Sequence, residues 1–90
     1  MRLDKYLKVS RIIKRRTKAK EICESGRVSI NGKIAKPSTA VGESDIIEIA
    51  FAKQTLKAKI INIIEHVRKE QAKEMYEIIS GADAEKTDVE

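Results

Sequence analysis

The sequence predicts a small α+β fold in which N-terminal helices pack on a mainly antiparallel sheet and a further helix follows. Three observations support this prediction. Apolar residues recur at helical spacing before Gly26, they alternate as in strands over residues 27–64, and the helical spacing returns near the C-terminus. Ninety residues suffice for one domain with a modest core, since a chain of this length buries roughly 60–65% of its unfolded surface.

Two helices are predicted in the N-terminal part. The first covers residues 2–9, where apolar residues fall on one face and cations on the other. Its apolar face consists of Leu3, Tyr6 and Leu7. The second helix covers residues 18–25, with Thr17 as its N-cap and Gly26 as the residue whose left-handed conformation ends it.

Four strands are predicted next. Residues 27–30 and 33–35 flank Asn31-Gly32, a strong hairpin signal because both positions tolerate the positive φ of a type I′ turn. Pro37 limits the return strand and begins a loop that runs to Asp45. Strands follow at residues 46–51 and 56–64. Their alternating apolar residues are Ile47, Ile49, Phe51, Leu56, Ala58 and Ile60.

The C-terminal part is predicted to contain a helix from about residue 67 to residue 79, ended by Gly81. Its apolar stripe consists of Ala72, Met75, Tyr76 and Ile79. Residues 82–90 are acidic and lack periodicity. These predictions divide the chain into a domain at residues 1–64, a C-terminal helix at 65–80 and a flexible acidic tail at 81–90.

The charge distribution is strongly asymmetric. Residues 1–36 contain twelve Lys and Arg against three acidic residues, a net +9, whereas residues 37–90 contain seven against eleven, a net −4. A concentrated basic face attracts phosphates, so the sequence indicates a polyanion partner. The one cysteine, Cys23, is typical of a reducing compartment, and no apolar stretch reaches the ~20 residues of a membrane span, so we expect a cytoplasmic protein.

Four runs of residues resemble the RNA-binding domain family named after ribosomal small-subunit protein four, here the S-four family. They are RLDKYL at 2–7, RRTKAK at 15–20, GRVSINGK at 26–33 and KPS at 36–38. Among short stand-alone members, the chain resembles the bacterial heat-shock S-four proteins and, more closely, the ribosome quality control P family. The latter match lies in MRLDKYLKVSR at 1–11, IKRRT at 13–17 and EMYEII at 74–79. GESD at 42–45 departs from the Gly-Asp pair that is usual there.

The resemblance implies the S-four fold, with its αL motif, and a non-catalytic RNA-binding factor of ribosome-associated quality control. Such a factor binds rRNA and peptidyl-tRNA on obstructed large ribosomal subunits. It stabilises P-site tRNA while an alanine-tailing quality-control factor extends the stalled chain. The resemblance also implies that Arg2 and Arg16 contact rRNA and tRNA phosphates, with Asp4 near them. We expect a monomer without catalytic residues, metal or cofactor.

The candidate RNA-binding residues belong to the basic N-terminal part. They are Arg2, Lys5, Arg11, Lys14, Arg15, Arg16, Lys18, Lys20, Arg27, Asn31 and Lys33. Arg15 and Arg16 precede a helix N-terminus, whose N–H groups favour phosphate. Asp4 is expected to have a structural or orienting role. All three aromatic residues lie on apolar stripes, which favours readout of RNA shape and phosphates over base stacking.

Other functions stay open as alternatives. One is a general heat-shock-type rescue factor for large subunits and tRNA, and another is an RNA-binding accessory of an rRNA-modifying enzyme. An enzyme in its own right is not expected, because residues 60–90 cannot hold a catalytic domain. A DNA-binding regulator is disfavoured because Glu21 and Glu24 lie on the outer side of the second helix.

Overall fold

Two α-helices, a five-stranded sheet and a 3₁₀ helix form the fold, which the computed structural model describes for residues 1–52, 54–66 and 68–81. Their order is α1 (Leu3–Val9), α2 (Arg16–Glu24), β1 (Val28–Ile30), β2 (Lys33–Ile34), β3 (Ile46–Ala50), β4 (Thr55–Ile60), the 3₁₀ helix (Lys69–Met75) and β5 (Tyr76–Ser80). The strands pair antiparallel in the order β2-β1-β3-β4-β5. The predicted α+β class, with its antiparallel sheet, is confirmed.

Helix α1 is fixed at its start by the loop that follows β2. The Leu3 N–H donates to the Thr39 carbonyl at 2.8 Å, and the Asp4 N–H donates to the Pro37 carbonyl at 3.1 Å. These bonds satisfy N–H groups that have no partner inside a helix. The predicted apolar face of α1 is fully buried and consists of Leu3, Tyr6 and Leu7.

Helix α2 begins earlier than predicted. Arg15 has the extended backbone of an N-cap, and its carbonyl accepts the first intrahelical bond, from the Ala19 N–H at 3.0 Å. The predicted N-cap, Thr17, therefore lies inside the first turn. The preference of threonine for N-cap positions did not determine where this helix begins. The predicted end is confirmed, since Gly26 follows the helix with φ +78°.

The hairpin and the alternating core strands are confirmed. Asn31 and Gly32 both have positive φ, 52° and 86°, as a type I′ turn requires. Strand β4 ends at Ile60 and does not continue to residue 64. The predicted core residues of this region are all buried: Ile47, Ile49, Phe51, Leu56, Ala58 and Ile60.

The C-terminal segment differs from the predicted α-helix over residues 67–79. The 3₁₀ helix takes the first part, and β5 takes the second. Ala72 and Met75 are buried as predicted, whereas Ile79 is exposed. The predicted start at Val67 and the tail at 82–90 lie outside the described residues.

Pairing with β4 explains why the second part is a strand. Ile78 lies opposite Ala58, and Tyr76 lies opposite Ile60, on the face that β4 turns to the core. Tyr and Ile favour strands, and pairing with β4 satisfies the backbone groups on one edge of β5. The predicted apolar stripe therefore does not mark one helix, because Ala72 and Met75 belong to the 3₁₀ helix and Tyr76 and Ile79 belong to β5.

The core joins the C-terminal segment to the N-terminal helices. The Tyr6 hydroxyl donates to the Met75 carbonyl at 2.7 Å, and both side chains are fully buried. This bond ties α1 to the junction between the 3₁₀ helix and β5. Within the described part of the chain, no helix is long and apolar enough to cross a membrane.

Candidate nucleic-acid interface

A buried carboxylate organises two arginines at the start of the helices. The Asp4 side chain is only 3% exposed and accepts from Arg2 Nε at 3.2 Å and from Arg2 Nη2 at 3.3 Å. Its Oδ1 also accepts from the Lys5 N–H at 2.8 Å and lies 3.8 Å from Arg16 Nη2. We call Arg2, Asp4 and Arg16 the arginine–aspartate cluster.

The backbone brings the arginine–aspartate cluster together. Arg2 is the extended N-cap of α1 and bridges to Ala40, while Asp4 lies in the first turn, where the helix N-terminus stabilises a negative charge. Arg16 begins α2, which packs against α1. The side chains of Arg2 and Arg16 are 52% and 51% exposed, so half of each faces solvent. One carboxylate therefore holds two guanidinium groups that can still bind a phosphate.

A first groove, of about 560 Å³, lies at the other end of α1. It is lined by Lys8, Val9, Arg11, Lys14, Glu65, His66 and Arg68, and we call it the basic groove. Glu65 is its carboxylate and accepts from Lys5 Nζ at 3.0 Å. That hydrogen bond lowers the pKa of Glu65 below its ordinary value, because it stabilises the ionised carboxylate. The remaining cations give the groove an excess of positive charge suited to a nucleic-acid backbone.

A second groove, of about 510 Å³, lies between α2 and the β1–β2 hairpin. It is lined by Arg2, Lys20, Cys23, Glu24, Gly26, Ile34, Ala35, Lys36, Pro37 and Ser38, and we call it the hairpin groove. Arg2 belongs to both this groove and the arginine–aspartate cluster. The two sites are therefore continuous along one surface.

The structure distributes the predicted residues over these sites. Arg2 and Arg16 meet at Asp4, Arg11 and Lys14 line the basic groove, and Lys20 lines the hairpin groove. Six further predicted residues line neither groove: Lys5, Arg15, Lys18, Arg27, Asn31 and Lys33. Lys18 lies 3.8 Å from Glu21 on the same helix, whereas Arg27 and Lys33 are exposed near the hairpin.

Asn31 was predicted to bind RNA, and in the structure its side chain makes hydrogen bonds that hold the hairpin. Its Nδ2 donates to Asp45 Oδ1 at 3.0 Å, and its Oδ1 accepts from the Ile46 N–H at 2.9 Å. Asp45 Oδ2 also accepts from the Gly42 N–H at 2.8 Å. Asp45 therefore anchors both the hairpin and the loop at 42–45, despite the unusual sequence of that loop.

The grooves add three cations to the candidate RNA-binding residues. Lys8 and Arg68 join the basic groove, and Lys36 joins the hairpin groove. Lys8 and Lys36 belong to the basic N-terminal part, so charge counting already pointed to them. Arg68 lies in the acidic part of the chain, and only the fold brings it beside Arg11.

Titration and metal chemistry contribute little to the site. Burial raises the pKa of the Cys23 thiol to about 12, with the Asp4 and Glu24 charges acting in the same direction. The thiol lining the hairpin groove is therefore protonated and unreactive at neutral pH. Within residues 1–52, 54–66 and 68–81, no group of three or more His, Cys, Asp and Glu side chains could hold a metal ion.

Comparisons with known proteins show which family this chain resembles. The model of the S4 domain matches residues 1–47, which include the arginine–aspartate cluster and the hairpin. The RQC P-site tRNA stabilizing factor of Listeria monocytogenes is 57% identical over 79 residues, covering 88% of this chain and 86% of that protein. The protein of the same name from Halalkalibacterium halodurans is 54% identical over 78 residues, covering 87% and 89%.

A solved structure extends the likeness to the C-terminal segment. Heat shock protein 15 of Vibrio cholerae, solved as a trimer, has a TM-score of 0.80 and 30% identity. The match covers 97% of this chain and 88% of that protein. Because the match continues beyond residue 47, the similarity includes the elements that supply Glu65 and Arg68 to the basic groove.

Proposed function

Since the chain belongs to the S4 domain family and, within it, to the RQC P-site tRNA stabilizing factors, we propose that it is a non-catalytic RNA-binding factor of the large ribosomal subunit. It contacts rRNA and steadies peptidyl-tRNA in the P site of obstructed subunits. An alanine-tailing factor extends the stalled chain while the tRNA is held. The protein acts in the cytoplasm and as a monomer.

The arginine–aspartate cluster is the observation that carries the proposal. Arg2 and Arg16 come from different helices, yet one buried carboxylate orients both, and half of each side chain is open to solvent. Guanidinium groups bind phosphate through two parallel N–H bonds, and prior orientation reduces the entropy lost on binding. Such a pair suits a fixed position of an RNA backbone.

The two grooves support contact with more than one RNA segment. The basic groove lies at the far end of α1 from Arg2, and the hairpin groove lies beside Arg2 itself. A factor that steadies tRNA on a ribosomal subunit needs to contact the tRNA and the rRNA at once. Separate cationic sites on one small domain supply that arrangement.

A second candidate function is general rescue of large subunits, as in a heat-shock response. The structural likeness to heat shock protein 15 favours it, since that likeness covers nearly the whole chain. The two candidates differ in their link to tailing. Under the first, omitting the protein from a reconstituted tailing reaction reduces alanine addition; under the second, alanine addition stays unchanged.

Co-sedimentation with large subunits tests the RNA-binding function. Wild type, Arg16→Ala and Lys59→Ala are pelleted with subunits that carry peptidyl-tRNA and with empty subunits. Lys59→Ala is the matched control, because it removes one exposed cation on β4 that lines neither groove. We expect Arg16→Ala to weaken binding by about tenfold, the loss of one charge-assisted phosphate contact. Lys59→Ala should bind like wild type.

Two further measurements complete the test: binding of wild type to subunits with and without peptidyl-tRNA, and the salt dependence of that binding. Wild type should pellet better with subunits that carry peptidyl-tRNA. About five phosphate contacts give a log–log salt slope of roughly −3.5 to −4.5. Equal pelleting of all three proteins would remove Arg16 from the interface, and no pelleting of wild type with either subunit would overturn the proposed function.

A further inference from the structure

The hairpin groove combines apolar and cationic lining residues. Ile34, Ala35 and Pro37 supply apolar surface, while Arg2, Lys20 and Lys36 supply positive charge. The basic groove differs, since Val9 is its one apolar lining residue among the described ones. The hairpin groove therefore suits a ligand that has both an apolar surface and an anionic group.

Phosphate binding does not explain why the apolar side chain of Ile34 is exposed. It is 67% exposed, more than the other large exposed hydrophobic residues of the described chain, which are Ile61, Ile78 and Ile79. It lies on the two-residue strand β2, beside a groove that is large enough for a small ligand, for which ~300–1,000 Å³ is usual. The backbone of a continuous RNA duplex is polar and charged, and it leaves such a side chain uncovered.

We propose that the hairpin groove takes a single unpaired nucleotide, extruded from the RNA that the arginine–aspartate cluster holds. Its base packs on Ile34 and Pro37, and its phosphate pairs with the groove cations. An extruded base presents apolar faces that side chains can cover. This inference rests on the proposed RNA-binding function and names the part of the RNA that this groove reads.

The arrangement of charges supports a nucleotide over an apolar peptide. Arg2 is already oriented by Asp4, and Lys20 and Lys36 approach from α2 and from the loop after β2. Glu24, on the same groove, can accept an N–H from the base, since each of the four RNA bases carries an N–H on its pairing edge. An apolar peptide side chain would use the apolar lining residues and offer no charged partner to Lys20, Lys36 or Glu24.

The base is recognised here by aliphatic contact and not by aromatic stacking. Tyr6 and Phe51 are buried, and Tyr76 is half-buried on the core side of β5. None of the three rings of the chain lines the hairpin groove. The expected gain from the unpaired base is therefore moderate.

Two RNA hairpins test the proposal. They are identical except that one carries a single unpaired 2-aminopurine nucleotide in its stem. We expect wild type to bind the bulged hairpin about tenfold more tightly, a difference of ~1.4 kcal/mol. Fluorescence of the 2-aminopurine should rise on binding, because the base leaves the stack of its neighbours.

Two variants separate the nucleotide site from general RNA binding. Ile34→Ser, at an exposed position, should bind the uninterrupted hairpin like wild type and lose both the tenfold preference and the fluorescence rise. Arg16→Ala should weaken binding to both hairpins by the same factor and keep the preference. Urea unfolding confirms that Ile34→Ser is folded.

Each other result has a definite meaning. If wild type binds both hairpins equally, or Ile34→Ser keeps the preference, the nucleotide site is wrong while the RNA-binding function stands. If wild type pellets with large subunits but binds neither hairpin, the nucleotide site is wrong while the RNA-binding function stands, and if it binds neither hairpins nor subunits, both proposals fail. Weaker subunit binding by Ile34→Ser with an unchanged hairpin preference would assign the groove to a ribosomal protein and overturn the proposal.

Discussion

Replacing Asp4 by asparagine tests whether the buried carboxylate orients Arg2 and Arg16. The amide oxygen can still accept from the Lys5 N–H, which lies 2.8 Å from Oδ1. With the amide oxygen at the Oδ1 position, Arg2 Nε keeps an acceptor, now 3.2 Å away, but the amide nitrogen would face Arg2 Nη2, now 3.3 Å from Oδ2. Asp4→Asn therefore removes the negative charge and one of the two Arg2 bonds, and it keeps the bond from the Lys5 N–H.

The expected loss of stability is modest. A hydrogen bond to a charged group contributes about 1.5–3 kcal/mol when it is well buried. Here Arg2 and Arg16 are half exposed and regain water when the carboxylate is lost, so we expect about 1–2 kcal/mol in the free energy of unfolding.

RNA affinity should fall as well, for a different reason. Arginines without a fixed partner lose more conformational freedom on binding, about 0.5–1.5 kcal/mol for each side chain. The removed negative charge works the other way, since its repulsion of a phosphate about 7 Å away is roughly 2 kcal/mol near a protein surface at low salt and about 1 kcal/mol at physiological salt. The orienting effect of the two arginines amounts to about 1–3 kcal/mol, so at physiological salt Asp4→Asn should bind RNA about three- to tenfold more weakly.

The assay is RNA binding over a series of salt concentrations, with urea unfolding of the same proteins. Asp4→Asn keeps every cation and should keep the wild-type salt slope, whereas Arg16→Ala should lose roughly 0.7–0.9 of a unit. Glu48→Gln is the matched control for the lost charge, because Glu48 is an exposed carboxylate on β3 that lines neither groove. It should leave both stability and affinity close to those of wild type. Affinity of Asp4→Asn equal to or tighter than wild type would refute the orienting role.

Two further predictions concern the core. Tyr6→Phe removes the hydroxyl that donates to the Met75 carbonyl. Because the Ile61 and Asn62 N–H groups also donate to that carbonyl, urea unfolding should show that the free energy of unfolding falls by only about 1 kcal/mol. An unchanged free energy of unfolding would mean that this bond does not hold the C-terminal segment. Burial raises the pKa of Cys23 from 9.0 to about 12, so the folded protein keeps this proton more tightly, and the resulting stability is complete below pH 9 and lost as the pH rises towards 12. Unfolding measured across this range should decline less steeply for Cys23→Ala, and an equal decline in both proteins would contradict the assignment.

Elements set by neighbouring residues were predictable from the sequence. The apolar face of α1, the end of α2 at Gly26 and the Asn31-Gly32 hairpin depend on side-chain period and on backbone conformations that only certain residues tolerate. The alternation of β3 and β4 is equally local. The family resemblance was also confirmed, because its sequence runs coincide with these elements.

Elements set by distant partners were not predictable in the same way. The YEIIS sequence of β5 fits a helical stripe as well as a strand, and its pairing with β4 decided between them. The start of α2 also differs from the prediction. Arg15, and not Thr17, is the N-cap, and no side-chain hydrogen bond caps the helix there.

The sequence by itself determined that this protein has a basic N-terminal part, and it identified Arg2 and Arg16 as residues to test. Only the tertiary structure decided what those charges form: two arginines on one buried carboxylate, a basic groove completed by Arg68, and a hairpin groove with an exposed Ile34. The physical reason is the distance along the sequence between the residues that interact. Charge and periodicity are properties of a segment, whereas a carboxylate shared by two helices, or a groove between α2 and a hairpin, exists only after segments distant in sequence have packed together.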